Sequence, residues 1–378
     1  MDLSDTATPA LILDRGKMET NLVGMERVSQ RLGVPLRPHG KTPKCKPIAQ
    51  RLMRGGAIGL SVSTLREAEE YFSAGVEDLF YAVGMVPNKL DRAMALMKAG
   101  ARMSFLLDSA AAARAIADQL PAGAPPLPIV VEIDVDGYRT GINPADQELF
   151  ELVGIFRDCD RMAFEGIMSY GGRSYELGEP SAVADLAEKH RQALVDTKHR
   201  LEGLGLECKT VSFGSTPAVL HARSMEGVTE LRCGIYVFQD LFQAAIGCCR
   251  PDDIALSVLT TIIGIRESQN IIVVDAGSLA MSKDASTRGT EHDAGYGLVV
   301  SASGNEFQPG LYLETTNQEI GLVTSLSGQP LNFSRFSIGE QLRILPNHAD
   351  LTAAAHELYL VVDGGHEIVD RWERFNFW

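Results

Sequence analysis

Four short stretches of the 378-residue sequence carry side chains able to do chemistry. The first is Arg37-Pro38-His39-Gly40-Lys41-Thr42-Pro43-Lys44. A lysine that ends a buried strand among other cations is expected to be partly buried and to give up its proton more readily than a surface lysine. It can then attack a carbonyl carbon and form a Schiff base; a solvated loop lysine is the alternative. The second stretch is Phe213-Gly214-Ser215-Thr216-Pro217, where a glycine, two hydroxyls and a helix start could receive a phosphate. Pro217 has no N–H, so Thr216 is expected as the N-cap and Ser215 as a direct donor; an ordinary capped helix start is the alternative. The third, Arg232-Cys233-Gly234-Ile235-Tyr236, suits the same phosphate cup. The fourth is Asn347-His348-Ala349-Asp350. If it lies on a strand, His348 and Asp350 share one face and can share a divalent ion, or simply make a structural hydrogen bond. An amine nucleophile, a phosphate cup and a metal pair together suit pyridoxal 5'-phosphate (PLP), a cofactor with both a phosphate and a carbonyl.

Elements of two kinds must position these residues. From about residue 34, short β-rich runs alternate with helical patterns: 34–38, 57–63, 78–83, 102–108, 128–134, 164–170, 208–213 and 228–233. Thr64-x-x-Glu67 reads as a capping box opening one of the helices. Eight alternations make an α/β fold, a (β/α)8 TIM-type barrel, whose chemistry sits at the C-terminal ends of its strands and whose phosphate sites follow strands 7 and 8. After about residue 250 the runs 255–265, 270–277, 296–300, 342–346 and 357–372 are broken by Gly, Asn and Ser, the texture of a C-terminal antiparallel β domain. The run 9–14 is a strand that precedes the barrel and could pair with that domain. The expected division is therefore a PLP-binding barrel at 15–245 and a β domain at 246–378, joined by the strand 8–14 and carrying the metal pair.

Composition removes other classes of function. The balance of 35 Lys+Arg against 49 Asp+Glu leaves a net charge of −14 with no basic run to offset it, which argues against nucleic acid or anionic membrane as partner. Six cysteines without a CxxC pair suggest free thiols in a reducing compartment. No signal-like N-terminus or membrane-length apolar run is present, so a soluble, cytoplasmic protein is expected.

The motifs RPHGKT, SVSTLREAEE, EIDVDGYRTGI, FGSTP, GVTELRCGIYVF, VDAGSLAMSKD, NQE and LRILPNHAD resemble those of the alanine-racemase-like (fold type III) PLP enzymes. Within them the likeness is to the D-serine dehydratase / D-threonine aldolase group, strongest toward its hydroxyaspartate dehydratase branch, and runs over nearly the whole chain. The resemblance implies that Lys41 holds PLP, that Ser215, Thr216, Gly234 and Ile235 bind its phosphate with Tyr236 nearby, and that Arg232 faces the pyridine nitrogen. It implies Arg139 near the cofactor, His348 and Asp350 as metal ligands, and a homodimer. An arginine on the ring nitrogen weakens the ring as an electron sink, so a metal on the substrate hydroxyl is a natural second electrophile.

Three departures from that group bear on the reaction. Relatives commonly carry HxC; Asp350 is harder and favours Mn²⁺ or Mg²⁺ over Zn²⁺. The group's QEHG is Gln318-Glu319-Ile320-Gly321 here. In Tyr170-Gly171-Gly172-Arg173-Ser174-Tyr175, Arg173 could bind a second substrate carboxylate or lie solvated, and Tyr170 could take part or merely pack. The implied activity is a lyase dehydrating D-3-hydroxy amino acids, of the D-threo-3-hydroxyaspartate or D-serine type, to a 2-oxo acid and ammonia. The alternatives are an aldolase for D-threonine or 3-hydroxy-D-aspartate that releases glycine and an aldehyde, an amino-acid racemase, and a non-catalytic PLP-binding protein. His39 is expected to stack on or orient the cofactor, and Asp275 to order a turn. His190, His199, His221, His292 and His366 read as surface or core residues, and His356 is left open.

Overall fold

The computed structural model describes residues 2–121, 123–304 and 306–378. Its chain divides into two compact units, Gly24–Gly234 with Phe377–Trp378, and Met1–Val23 with Ile235–Asn376.

In the first unit seven parallel strands stand in sequence order: Leu60–Val62, Asp78–Gly84, Arg102–Leu107, Leu127–Glu132, Met162–Tyr170, Thr210–Gly214 and Glu230–Leu231. The eighth stave is the extended segment 35–40, which bridges the two edges. Arg37 N–H donates to Leu231 O at 2.8 Å and His39 N–H to Cys233 O at 2.7 Å. On the other side Ser61 N–H donates to Pro38 O at 2.9 Å and Gly40 N–H to Ser61 O at 2.7 Å. Pro35 and Pro38 have no N–H to give, so this stave cannot form a continuous ladder and pairs only at isolated bridges. The barrel is thus closed as the alternation predicts. Phe80, Leu106, Val130 and Met168 contribute one buried cluster from four successive strands.

The second unit is built on the long strand Leu256–Arg266. With Ile271–Val274, Gly321–Ser325, Phe307–Thr316, Gly297–Ser301 and Gln341–Pro346 it closes a six-stranded antiparallel barrel. The strand Ala10–Asp14 joins this unit as expected, antiparallel to Leu256–Leu259. It runs parallel to Leu358–Val362, so the domain is not antiparallel throughout. That exception follows from chain order, because a strand from the N-terminus enters beside one reached only near the C-terminus. Asp275 fastens three segments rather than a turn: its carboxylate accepts from Thr260 Oγ1 at 2.8 Å, Thr261 N–H at 2.9 Å and Thr8 Oγ1 at 2.5 Å.

Candidate active site

Lys41 follows directly on the eighth stave of the barrel. Its side chain is exposed, not partly buried as a strand-end position suggests, while Gly40 and Thr42 on either side are buried. Those neighbours carry the packing that fixes the loop. Helix Leu65–Ser73 does the fixing. Thr64 caps it by accepting Glu67 N–H at 3.0 Å, and the Glu67 carboxylate turns back to Ser63 N–H at 2.8 Å, one residue before the position a capping box would use. The other Glu67 oxygen lies 3.2 Å from Lys44 Nζ. Burial pushes the Glu67 carboxyl pKa up against the pull of Ser63 N–H, Lys44 and Lys41. One turn on, Tyr71 Oη donates to Gly40 O at 2.6 Å, and its ring fills the space that a side chain at Gly40 would need.

His39 Nδ1 accepts the Lys41 N–H at 3.4 Å. Burial, then the charges of Lys41, Arg232 and Arg139, hold its pKa well below the ordinary histidine value, so the imidazole is neutral at pH 7. Lys41, Arg232 and Arg139, which follow three different staves, all act on the charge of this ring.

Arg232 is buried on the barrel's interior. Its Nε donates to Ser212 Oγ at 2.7 Å and its Nη2 to Ser169 O at 2.7 Å. Its guanidinium carbon lies 5.7 Å from the centre of the Phe80 ring. Ser212 Oγ passes its own proton to Glu230 Oε1 at 2.7 Å, and Glu230 Oε2 accepts from Arg37 Nε at 2.7 Å. Arg37 also reaches Asp78 at 2.5 Å. Burial lowers the Arg232 pKa, opposed by Glu230 and Glu132; a guanidinium so placed is still a cation.

The residues expected to form a phosphate cup follow, with one change in their local roles. Ser215, not Thr216, caps helix Thr216–His221, because its Oγ accepts Ala218 N–H at 3.3 Å. Pro217 then falls at the second helical position, whose N–H has no helical partner in any case. Ser215 Oγ also shares a 2.8 Å hydrogen bond with Ser174 Oγ. Thr216 Oγ1 is buried with no hydrogen-bond partner among the described residues. A Cβ on Gly214 would come within 3.0 Å of Arg232 O, and one on Gly234 within 3.0 Å of both His39 Cβ and Thr42 Oγ1. A buried orphan hydroxyl together with two closely packed glycines fits an anionic group. Ile235 and Tyr236 follow Gly234 in the turn Ile235–Val237 that opens the other unit, and both are buried.

The segment at the end of strand Met162–Tyr170 is packed onto the loop after strand Leu127–Glu132. The Arg139 guanidinium carbon stacks 4.2 Å from the Tyr170 ring centre, and Tyr175 stacks against Tyr170 at 6.3 Å. Arg173 donates its N–H to Asp136 Oδ2 at 3.1 Å and its Nε to Asp136 O at 2.6 Å, while 53% of its side chain stays exposed. His190 lies buried beneath this loop, with Nε2 3.6 Å from Asp136 Oδ2. A Cβ on Gly171 would come within 2.6 Å of His190 Nδ1. Sequence reasoning leaves His190 as one more surface or core residue, since nothing local links it to the distant Asp136.

In the second unit the expected metal pair does not lie on a strand. Strand Gln341–Pro346 ends before it; His348 is the N-cap of the short helix Ala349–Ala353, and Asp350 lies in its first turn. Buried Asp240 takes the intervening Ala349 N–H on Oδ2 at 3.0 Å and caps the helix Leu241–Ala245 with Oδ1, at 2.8 Å from Gln243 N. His348 Nδ1 stands 3.6 Å from Asp284 Oδ2. Burial pushes the Asp240 pKa up to about 7 against His348 and two backbone N–H groups. Burial lowers the His348 pKa, but Asp284, Asp350 and Asp240 outweigh it and raise it above the ordinary value. His348 and Asp350 supply one imidazole and one carboxylate, a hard N/O pair of the kind that suits a divalent ion. Among the described residues no three His, Cys, Asp or Glu side chains are grouped to hold a metal ion. Asp240 and Asp284 carry no sequence signal that sets them apart from other acidic residues. The loop 317–320 with Ile320 is tied to the VDAGSLAM segment through Ser278 N–H to Asn317 O at 2.6 Å and Leu279 N–H to Gln318 O at 3.0 Å. His356, left open by the sequence, is structural: its Nε2 lies 3.0 Å from Ala280 O.

The chain matches the alanine racemase N-terminal domain over residues 13–241 and the serine dehydratase domain over residues 255–362. D-threo-3-hydroxyaspartate dehydratase of Delftia sp. (strain HT23) is 41% identical over 98% of this chain and 98% of its own length. D-serine dehydratase of Dictyostelium discoideum is 30% identical over 100% of this chain and 98% of its own. The solved structure of a D-threo-3-hydroxyaspartate dehydratase mutant in its metal-free form matches with a TM-score of 0.95 at 39% identity, over 100% of both chains.

Proposed function

The chain belongs to the alanine racemase N-terminal domain family, here with a serine dehydratase domain after it, and on that premise we propose a PLP- and divalent-metal-dependent lyase. The substrate is a D-3-hydroxy amino acid, with D-threo-3-hydroxyaspartate first and D-serine second. The reaction removes the α-proton and the β-hydroxyl as water, and hydrolysis of the amino group then gives a 2-oxo acid and ammonia. The observation that carries this reading is the Lys41 loop, held at His39 N–H to Cys233 O next to buried Arg232, together with the buried orphan hydroxyl of Thr216.

PLP, when bound, supplies a carbonyl for Lys41 and an electron sink that acidifies the α-carbon. Lys41 Nζ holds the cofactor and is the base for the α-proton. Ser215, Thr216, Gly234 and Ile235, with Tyr236, receive the phosphate. Arg232, held by Ser212 and Ser169, would present its cation to the ring nitrogen of PLP, and His39 would pack on the ring without adding charge. Arg139 and Tyr170 order the mouth of the barrel, and Arg173, with its outer nitrogens exposed, takes the second carboxylate of hydroxyaspartate. His348 and Asp350 hold Mn²⁺ or Mg²⁺ to assist loss of the hydroxyl. The six cysteines, none of them in a disulfide among the described residues, support a cytoplasmic setting, and the family fold supports a homodimer. Among the described residues no helix is long and apolar enough to cross a membrane.

Asp350 favours a second reading, retro-aldol cleavage to glycine and an aldehyde. Product analysis with D-threo-3-hydroxyaspartate, D-serine and D-threonine, with and without Mn²⁺, separates the two. Ammonia with a 2-oxo acid supports the dehydratase. Glycine with an aldehyde transfers the assignment to the aldolase, and an L-amino acid to a racemase.

A further inference from the structure

We propose that Asp284 is the positioning residue of the metal pair, orienting the His348 ring so that Nε2 is the nitrogen left for the ion. The inference rests on the reading of His348 and Asp350 as metal ligands. Asp284 Oδ2 faces His348 Nδ1 at 3.6 Å. Its other oxygen is anchored independently by Ser286, from the N–H at 3.0 Å and from Oγ at 2.6 Å. The carboxylate is therefore held in place by its own turn and does not depend on the histidine for its orientation. The two segments are tied a second time through the residue next to the histidine: Asn347 Nδ2 donates to Asp284 O at 3.5 Å and to Gly295 O. Asp240 fixes the backbone between the two ligands through Ala349 N–H. An imidazole whose Nδ1–H is directed at a carboxylate offers Nε2 as its basic nitrogen, and the carboxylate strengthens it as a donor.

The test is Mn²⁺ binding to the PLP-loaded protein, read from the electron paramagnetic resonance of free Mn²⁺. Asp284→Ala is expected to weaken binding about 10–100-fold. Asp284→Asn keeps the Ser286 contacts on its amide oxygen but turns its NH2 toward Nδ1, so it is expected to bind Mn²⁺ about as weakly as Asp284→Ala, whereas a purely structural role would be rescued by the isosteric amide. The visible absorbance of PLP should be the same in all three proteins. Equal Mn²⁺ affinity in Asp284→Ala and the unaltered protein overturns the inference. A second measurement needs no change at 284: ring ¹⁵N resonances of His348, assigned with His348→Ala and recorded metal-free at pH above its raised pKa, should show Nδ1 protonated and Nε2 bare. The opposite tautomer overturns the inference while leaving the metal pair intact. Failure of the unaltered protein to bind Mn²⁺, or unchanged binding in His348→Ala, overturns the metal reading itself and the inference with it.

Discussion

Arg232 Nε donates to Ser212 Oγ at 2.7 Å, and Ser212 hands its own proton to Glu230, which Arg37 neutralises from the other side. The cation proposed to face the cofactor ring is thus held through a hydroxyl whose single proton can point only one way. Ser212→Ala leaves a buried guanidinium N–H and a carboxylate oxygen each short of a partner. We expect a loss of about 1–3 kcal/mol in stability by chemical denaturation and weaker PLP binding. Unchanged stability and an unchanged PLP titration would show that the relay does not hold Arg232.

Gly234 sits where a Cβ would meet His39 Cβ and Thr42 Oγ1, each at 3.0 Å. Both neighbours belong to the loop that carries Lys41, so Gly234→Ala should displace that loop rather than the barrel wall. A fall in PLP affinity of about tenfold, equivalent to about 1.4 kcal/mol, with little change in melting temperature is expected. Wild-type affinity would mean that the loop yields at no cost.

Arg173 is already committed to Asp136 through its N–H and Nε, so a substrate carboxylate can use only its outer nitrogens. Arg173→Ala should raise KM for D-threo-3-hydroxyaspartate about 10–100-fold, the worth of a charge-assisted pair, and leave KM for D-serine nearly unchanged. Equal effects on both substrates would remove Arg173 from substrate recognition.

His190 carries a pKa lowered from 6.5 by burial, only partly offset by Asp136 and Asp134. As pH falls through 6.5 the unfolded chain takes up the proton first, so the native state loses stability from there down toward the lowered pKa. The contribution is intact above that window. The stability difference between the unaltered protein and His190→Gln should therefore shrink as pH drops from about 7 to about 5. A difference that holds steady or widens toward acid would show that the native state binds the proton as readily as the unfolded chain.

Much of the frame was readable because its cause is local. Apolar runs set in helical patterns mark strands covered on both faces, and seven of the eight expected ranges overlap an observed strand. The eighth ladder is broken because Pro35 and Pro38 cannot donate, yet its place was marked by the RPHGKT motif it carries. Strands Phe307–Thr316 and Gly321–Ser325 were not singled out, their runs being broken by polar residues and glycines. At the site, residue types were legible and their supports were not. Ser215 rather than Thr216 as cap turns on where the helix begins, and the HxD pair opens a helix because Pro346 ends its strand. Asp284, Asp240, Ser212 and His190 act through contacts between segments far apart in sequence, which no local pattern records.

Everything proposed for the barrel turns on one amine. Reduction of the PLP-loaded protein with borohydride, followed by proteolysis and mass spectrometry, should find the pyridoxyl phosphate adduct on Lys41 and on no other lysine. Lys41→Ala should abolish both the adduct and the visible absorbance. An adduct on Lys44 or elsewhere, or colour that survives in Lys41→Ala, would contradict the account.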